Sequence, residues 1–171
     1  MFRAITFCLF VLSSGAAIAQ EPQMTADRLI RIAMSLDPDA RLTPNGVELT
    51  LEDIPVLIVM SPQADRMRAM VPIAGLEDVS ADEMVRMMQA NFDTALDARY
   101  AVAQGRVWGV FIHPISPLER EQFLSGLVQT VNLARTYGTL YSGGAQVFGG
   151  GDSAELYQDL LSDLLGRGTE L

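Results

Sequence analysis

Gly46-Val47-Glu48-Leu49-Thr50-Leu51, followed by Val56-Leu57-Ile58-Val59-Met60 and then Arg66-Met67-Arg68-Ala69-Met70-Val71, decides the fold. In the first segment Val47, Leu49 and Leu51 alternate with Glu48, Thr50 and Glu52, the period of a strand with one wet face. The second is apolar throughout, which suits a strand inside a sheet. In the third, Met67, Ala69 and Val71 alternate with Arg66, Arg68 and Met70, and Pro72 suits the strand's end. Asn45-Gly46 and Ser61-Pro62-Gln63-Ala64-Asp65 read as turns, so the three segments predict an antiparallel meander.

Helices frame it. Thr25 caps a predicted helix to residue 36, with Leu29, Ile32, Ala33 and Leu36 on its apolar face and Asp27, Arg28, Arg31 and Ser35 on the other. Asp37-Pro38 stops it. Ser80 and Glu83 form an S-x-x-E capping box before a second helix bearing Met84, Val85, Met87, Met88, Phe92, Ala95 and Leu96. Residues 100–103 and 107–112 flank Gln104-Gly105, a predicted hairpin. Ser116-Pro117-Leu118-Glu119 repeats the capping pattern with Pro at the first helical position, ahead of Phe123, Leu124, Leu127, Val128, Val131 and Ala134. This third helix is predicted to end near Tyr137-Gly138. The expected class is α+β, an antiparallel five-stranded sheet with packed helices in the order α-β-β-β-α-β-β-α over residues 20–138. A Gly-rich linker (139–151) then leads to an amphipathic tail (152–171), where Asp152 and Glu155 cap a helix carrying Leu156, Leu160, Leu161, Leu164 and Leu165.

The start of the chain reads as an export signal, not as part of the fold. Arg3 precedes an apolar run over residues 4–12, and Ala17-Ile18-Ala19 is the small-x-small pattern a signal peptidase cleaves, so the mature chain is expected to begin at Gln20. The apolar run is too short for a span of about 20 residues, and Cys8 lies inside it, unlike a lipoprotein cysteine. The expected location is periplasmic or secreted, with no stable membrane span after cleavage.

Removing residues 1–19 leaves 152 residues, enough for one ordinary domain, with 11 basic against 21 acidic side chains. That balance disfavours nucleic acid and anionic membrane surfaces as partners. Cys8 is the only cysteine and goes with the signal, which leaves the mature chain without disulfides or thiol catalysis.

The order of elements resembles the type III secretion chaperone-like fold, including CesT-type chaperones and YbjN-like proteins. Residues 46–51 and 56–60 look like the early strands of that group, and Pro114-Ile115-Ser116-Pro117 looks like the lead into its last long helix. The resemblance covers about two thirds of the chain and implies a small acidic protein, often a homodimer, that binds a protein or peptide partner without catalysis or cofactor. The secretion chaperones work in the cytoplasm before export, whereas this chain carries its own export signal.

Residues with chemical potential have structural readings beside the functional ones. His113 is the only histidine and has no metal-ligand or Ser-Asp companion in sequence. Asp37-x-Asp39, Glu52-Asp53 and Glu77-Asp78 stand at turns and element ends, where carboxylates act as caps. Gly149-Gly150-Gly151-Asp152 is a single copy of a calcium-repeat-like pattern without stacking neighbours, and a linker with an Asp cap fits it better. Met84, Met87, Met88 and Phe92 would form a partner or self-association surface, which Leu156, Leu160, Leu161 and Leu164 would cover in the same molecule or reach in a neighbour. The rival reading is a small carboxylate-dependent hydrolase or a lipid- or glycan-binding envelope protein. It requires a deep pocket with convergent buried carboxylates, whereas a flat or grooved apolar sheet face indicates the binding module.

Overall fold

The computed structural model describes residues 21–93, 96–137 and 154–167. The expected signal (1–19), Ala95, the linker (139–151) and the caps Asp152 and Glu155 lie outside the described residues or their side chains.

Helix α1 (Ala26–Leu36) starts where Thr25 accepts the amide of Arg28 at 3.2 Å. It buries Leu29, Ile32, Ala33 and Leu36 as expected, and also Arg28, which the sequence placed on the wet face. Arg28 is held inside by Glu21 at 2.8 Å and by the carbonyl of Pro22. The same Glu21 oxygen accepts the amide of Arg120, 2.8 Å away. Asp37 ends α1 and accepts the amides of Asp39 and Thr50 at 2.8 and 2.7 Å, fastening the helix end to the sheet.

Six strands form one antiparallel sheet: β1 (Arg41–Thr43), β2 (Gly46–Leu51), β3 (Ile54–Ser61), β4 (Arg66–Gly75), β5 (Arg99–Ala103) and β6 (Arg106–His113), in the spatial order β1-β2-β3-β4-β6-β5. The meander and hairpin are therefore as read. Glu52 and Asp53 (φ 51° and 63°) join β2 to β3, and Gln104 and Gly105 (φ 54° and 69°) join β5 to β6. Two consecutive left-handed residues match the twist of the flanking strands in a tight hairpin.

The sequence reading needs correction at three places. The sheet has a sixth strand, β1, which pairs Thr43 with Gly46 and Arg41 with Glu48; three residues with Leu42 exposed carry no readable alternation. Strand β4 continues past Pro72, because the register shifts between Pro72 and Ala74 where the prolyl nitrogen has no proton to give. Ser116 and Pro117 do not open the third helix. Ser116 instead gives its amide and hydroxyl to the Asp65 carboxylate at 2.8 and 2.7 Å, which holds that carboxyl below the usual range. Helix α3 (Arg120–Arg135) starts one turn later, with Glu119 and Gln122 as a reciprocal capping box.

Helix α2 (Ala81–Asp93) has its expected box: Glu83 accepts the Ser80 amide at 2.8 Å and hydroxyl at 2.7 Å, and Ser80 accepts the Glu83 amide at 3.2 Å. These bonds hold the Glu83 carboxyl below its usual range. Met87 packs with Tyr100 and Val107 in a small cluster beside the main core, joined by Met84, Ile73 and Leu133. Burial pushes the Tyr100 hydroxyl up to about 12, and that hydroxyl donates to the carbonyl of Leu133 at 3.0 Å.

The main core lies between the sheet and α1, α3 and the last helix, α4 (Ala154–Arg167). Helix α3 is buried almost all round from Phe123 to Asn132, the condition of a helix with neighbours on both sides. Its near side rests on β6 at Gly126, where a Cβ would lie 2.5 Å from the ring of Phe111. Its far side takes α4, whose Leu160 and Leu164 are core residues. Tyr157 bonds Ser125 at 2.7 Å, the Arg120 guanidinium donates to the carbonyl of Leu165 at 2.7 Å, and Arg167 donates to that of Leu36 at 2.9 Å.

Candidate functional site

Alternation along the strands sends Val56, Ile58, Met67, Ala69, Val71, Gly109 and Phe111 toward the helices, where all are buried. The intervening residues form the opposite face, which none of the described helices covers. Register sets them in rows: Glu48, Leu57, Met70, Val110 and Arg99 across five strands, then Val59, Arg68 and Ile112, then Pro72, Trp108 and Ala101. Leu57, Met70 and Val110 make the longest row apolar between Glu48 and Arg99, and Arg68 stands exposed between Val59 and Ile112 in the next. The Trp108 indole donates to the carbonyl of Ala103 at 3.0 Å, so its polar edge is satisfied while its ring stays on the surface.

Residues expected to make a partner surface are divided by the structure. Met87 is buried and Met84 packs beside it, whereas Met88 and Phe92 are exposed, Phe92 by 82%. With Val85 they make an outward stripe at positions i, i+3 and i+7 on α2. Leu160 and Leu164 fill the main core, Leu161 packs at its margin, and Leu156 stands in the first turn of α4, where only the backbone is described. The leucines of α4 thus cover α3 and α1, and among the described contacts they do not meet the methionines of α2.

A cleft of about 540 Å³ opens between β6, α3 and α4. It was missed by sequence reasoning, because its walls come from four separate segments. Strand pairing between β5 and β6 begins at Arg99 and Val110, so the β6 edge over residues 111–113 has no strand partner among the described residues. Residues 96–98, which would continue β5 alongside it, are drawn aside. Gln129 accepts the amides of Asp97 and Ala98 at 2.6 and 3.0 Å, and the Arg99 guanidinium donates to the carbonyls of Leu96 and Ala98 at 2.6 and 2.9 Å. Phe111 and Leu161 supply apolar wall, while Asp97, Glu119 and Glu121 supply carboxylates. All three acids are exposed. His113 also borders the cleft, half-buried, its ring stacked on Phe111 and its Nδ1 2.7 Å from the carbonyl of Pro114.

No protein-family model and no curated protein matches the chain. Among solved structures, a chain of the ExsC–ExsE complex superposes on 70% of this chain and 95% of its own length, with a TM-score of 0.52 and 15% identity. The likeness is one of fold: the chain shares that chain's α+β architecture.

Proposed function

We propose that this chain is a non-catalytic, chaperone-like protein-binding module, exported to the periplasm or beyond and working as a homodimer. The carrying observation is the uncovered sheet face, where Leu57, Val59, Met70, Val110 and Trp108 adjoin one another in a strongly acidic chain. A contiguous apolar patch ringed by charge is what a soluble protein keeps for a partner. In this reading the face holds the partner polypeptide, and Val85, Met88 and Phe92 on α2 form the contact between copies. The ExsC–ExsE structure, itself a complex, supports the assignment through its fold. The rival hydrolase needs convergent buried carboxylates, and the three acids of the cleft are exposed instead.

Heat-induced aggregation of citrate synthase is the test. The protein should suppress it, and Met70→Asp with Val110→Asp should abolish the effect while circular dichroism stays unchanged; full protection by the folded double variant contradicts the reading. Light scattering should give twice the monomer mass, and a clean monomer at tens of micromolar rules the dimer out. N-terminal sequencing of exported material should begin at Gln20, and a Met1 start on membrane-bound protein contradicts export.

A further inference from the structure

We propose that the cleft beside β6 is a second docking site, which takes an extended segment carrying arginine or lysine from a partner polypeptide. The proposal rests on the protein-binding reading and assigns a distinct surface to it.

Three observations converge. The first is an open strand edge over residues 111–113, about 10 Å long at 3.3 Å per residue. An added strand gains main-chain hydrogen bonds there and presents alternate side chains to pockets on either side. The second is that the opening is built. The backbone that would close it is satisfied elsewhere, Asp97 and Ala98 by Gln129, Leu96 and Ala98 by Arg99, so the sheet does not gain by closing itself. Gln129 is itself buried, and its amide nitrogen bonds Ser125 at 3.1 Å, which fixes the side chain that holds the loop away. The third is charge. Asp97, Glu119 and Glu121 border the opening; Arg99, which borders it too, has its guanidinium engaged with the carbonyls of Leu96 and Ala98, and the Arg120 guanidinium donates to that of Leu165. Leu161 and the edge of the Phe111 ring add apolar surface for the stem of a long basic side chain, whose head then reaches the acids. Glu119 also caps α3, and the Gln129 amide nitrogen stands 3.4 Å from the Asp97 carboxylate, but these neutral donors leave the negative charge in place, so an acidic strand at the same edge meets repulsion and the site selects by charge.

The test titrates isotope-labelled protein with a capped nonapeptide of alternating valine and arginine, and with its valine–glutamate counterpart. The arginine peptide should move the amide resonances of Asp97, Phe111, Ile112 and His113, and the glutamate peptide should leave them in place. Asp97→Asn with Glu121→Gln should weaken the arginine peptide about fivefold, since exposed ion pairs are worth a fraction of a kcal/mol to about 1 each. Glu77→Gln with Asp82→Asn removes the same charge elsewhere and should change affinity little. Equal weakening by the two double variants would mean diffuse attraction to an acidic protein and overturn the site. So would perturbations confined to β1 or the open sheet face, or no response at about 1 mM peptide. Citrate synthase protection by the Asp97/Glu121 variant is measured in parallel. If protection persists while the peptide result fails, the cleft assignment falls and the open-face reading stands; if protection is absent in the unaltered protein, the open-face reading falls by itself.

Discussion

Helices α2 and α4 carry similar apolar side chains and use them in opposite ways. Each has a stripe of large apolar residues, and in sequence each looks like a surface for something outside the fold. Helix α2 gives only Met87 wholly to the interior and turns Val85, Met88 and Phe92 outward. Helix α4 sinks Leu160 and Leu164 into the main core against α3 and α1. Amphipathicity says that a face will be covered without saying by what; the covering is decided by whether a groove of the same chain lies within reach.

The largest test of this contrast is Leu164→Ala, which should cost about 2–5 kcal/mol, as expected for a leucine truncated in a packed core. Urea denaturation would show it, and an unchanged midpoint would return α4 to the role of a loose appendage. Met87→Ala should cost about 2 kcal/mol, at the low end of that range, because its cluster is small and lies at the sheet margin. Ser80→Ala should cost about 1 kcal/mol through loss of the cap. The same cap sets a pH dependence. Glu83 is held below its usual range mainly by the Ser80 hydroxyl, so its contribution is present above the ordinary carboxylate pKa and is lost as pH falls through the lowered value. Acid titration of helical ellipticity should therefore show a step that Ser80→Ala makes smaller and moves to higher pH, the Ser80 amide alone still holding the carboxylate. Phe92→Ser should change monomer stability least, by less than about 0.5 kcal/mol, yet shift the mass in light scattering toward monomer. A large loss of stability there would mean that the stripe is already covered within the molecule.

Legibility in the sequence followed periodicity. The meander at 46–71, the hairpin at Gln104-Gly105, the cap at Thr25 and the capping box at Ser80 depend on local patterns, and each is found in place. Strand β1 was too short to show a period. Ser116 looked like a cap, but Asp65, 51 residues earlier, had the stronger claim on it. Helix α3 showed one apolar face in sequence because Gln129, Thr130 and Asn132 interrupt the other, although all three are buried. Gln129 in mid-helix was the available signal for the cleft: a buried amide demands partners, and those partners are the backbone of Asp97 and Ala98. The open sheet face was partly visible in Arg68 and Met70 alternating with buried neighbours. Its extent depended on strand order, which a sequence pattern does not carry.

The joint at Glu21, Arg120 and Leu165 has a consequence for the order of folding. Glu21 receives the amide that opens α3, and the side chain of that same residue, Arg120, reaches the final turns of α4. Strands β2 to β4 and the β5–β6 hairpin can form from neighbours in the chain, but this joint connects residues separated by almost the whole length of the domain. Such contacts come at the end of a search through long loops. The interior is sealed by its most distant parts, so a chain whose last helix has not yet been made would hold its strands and lack its lock.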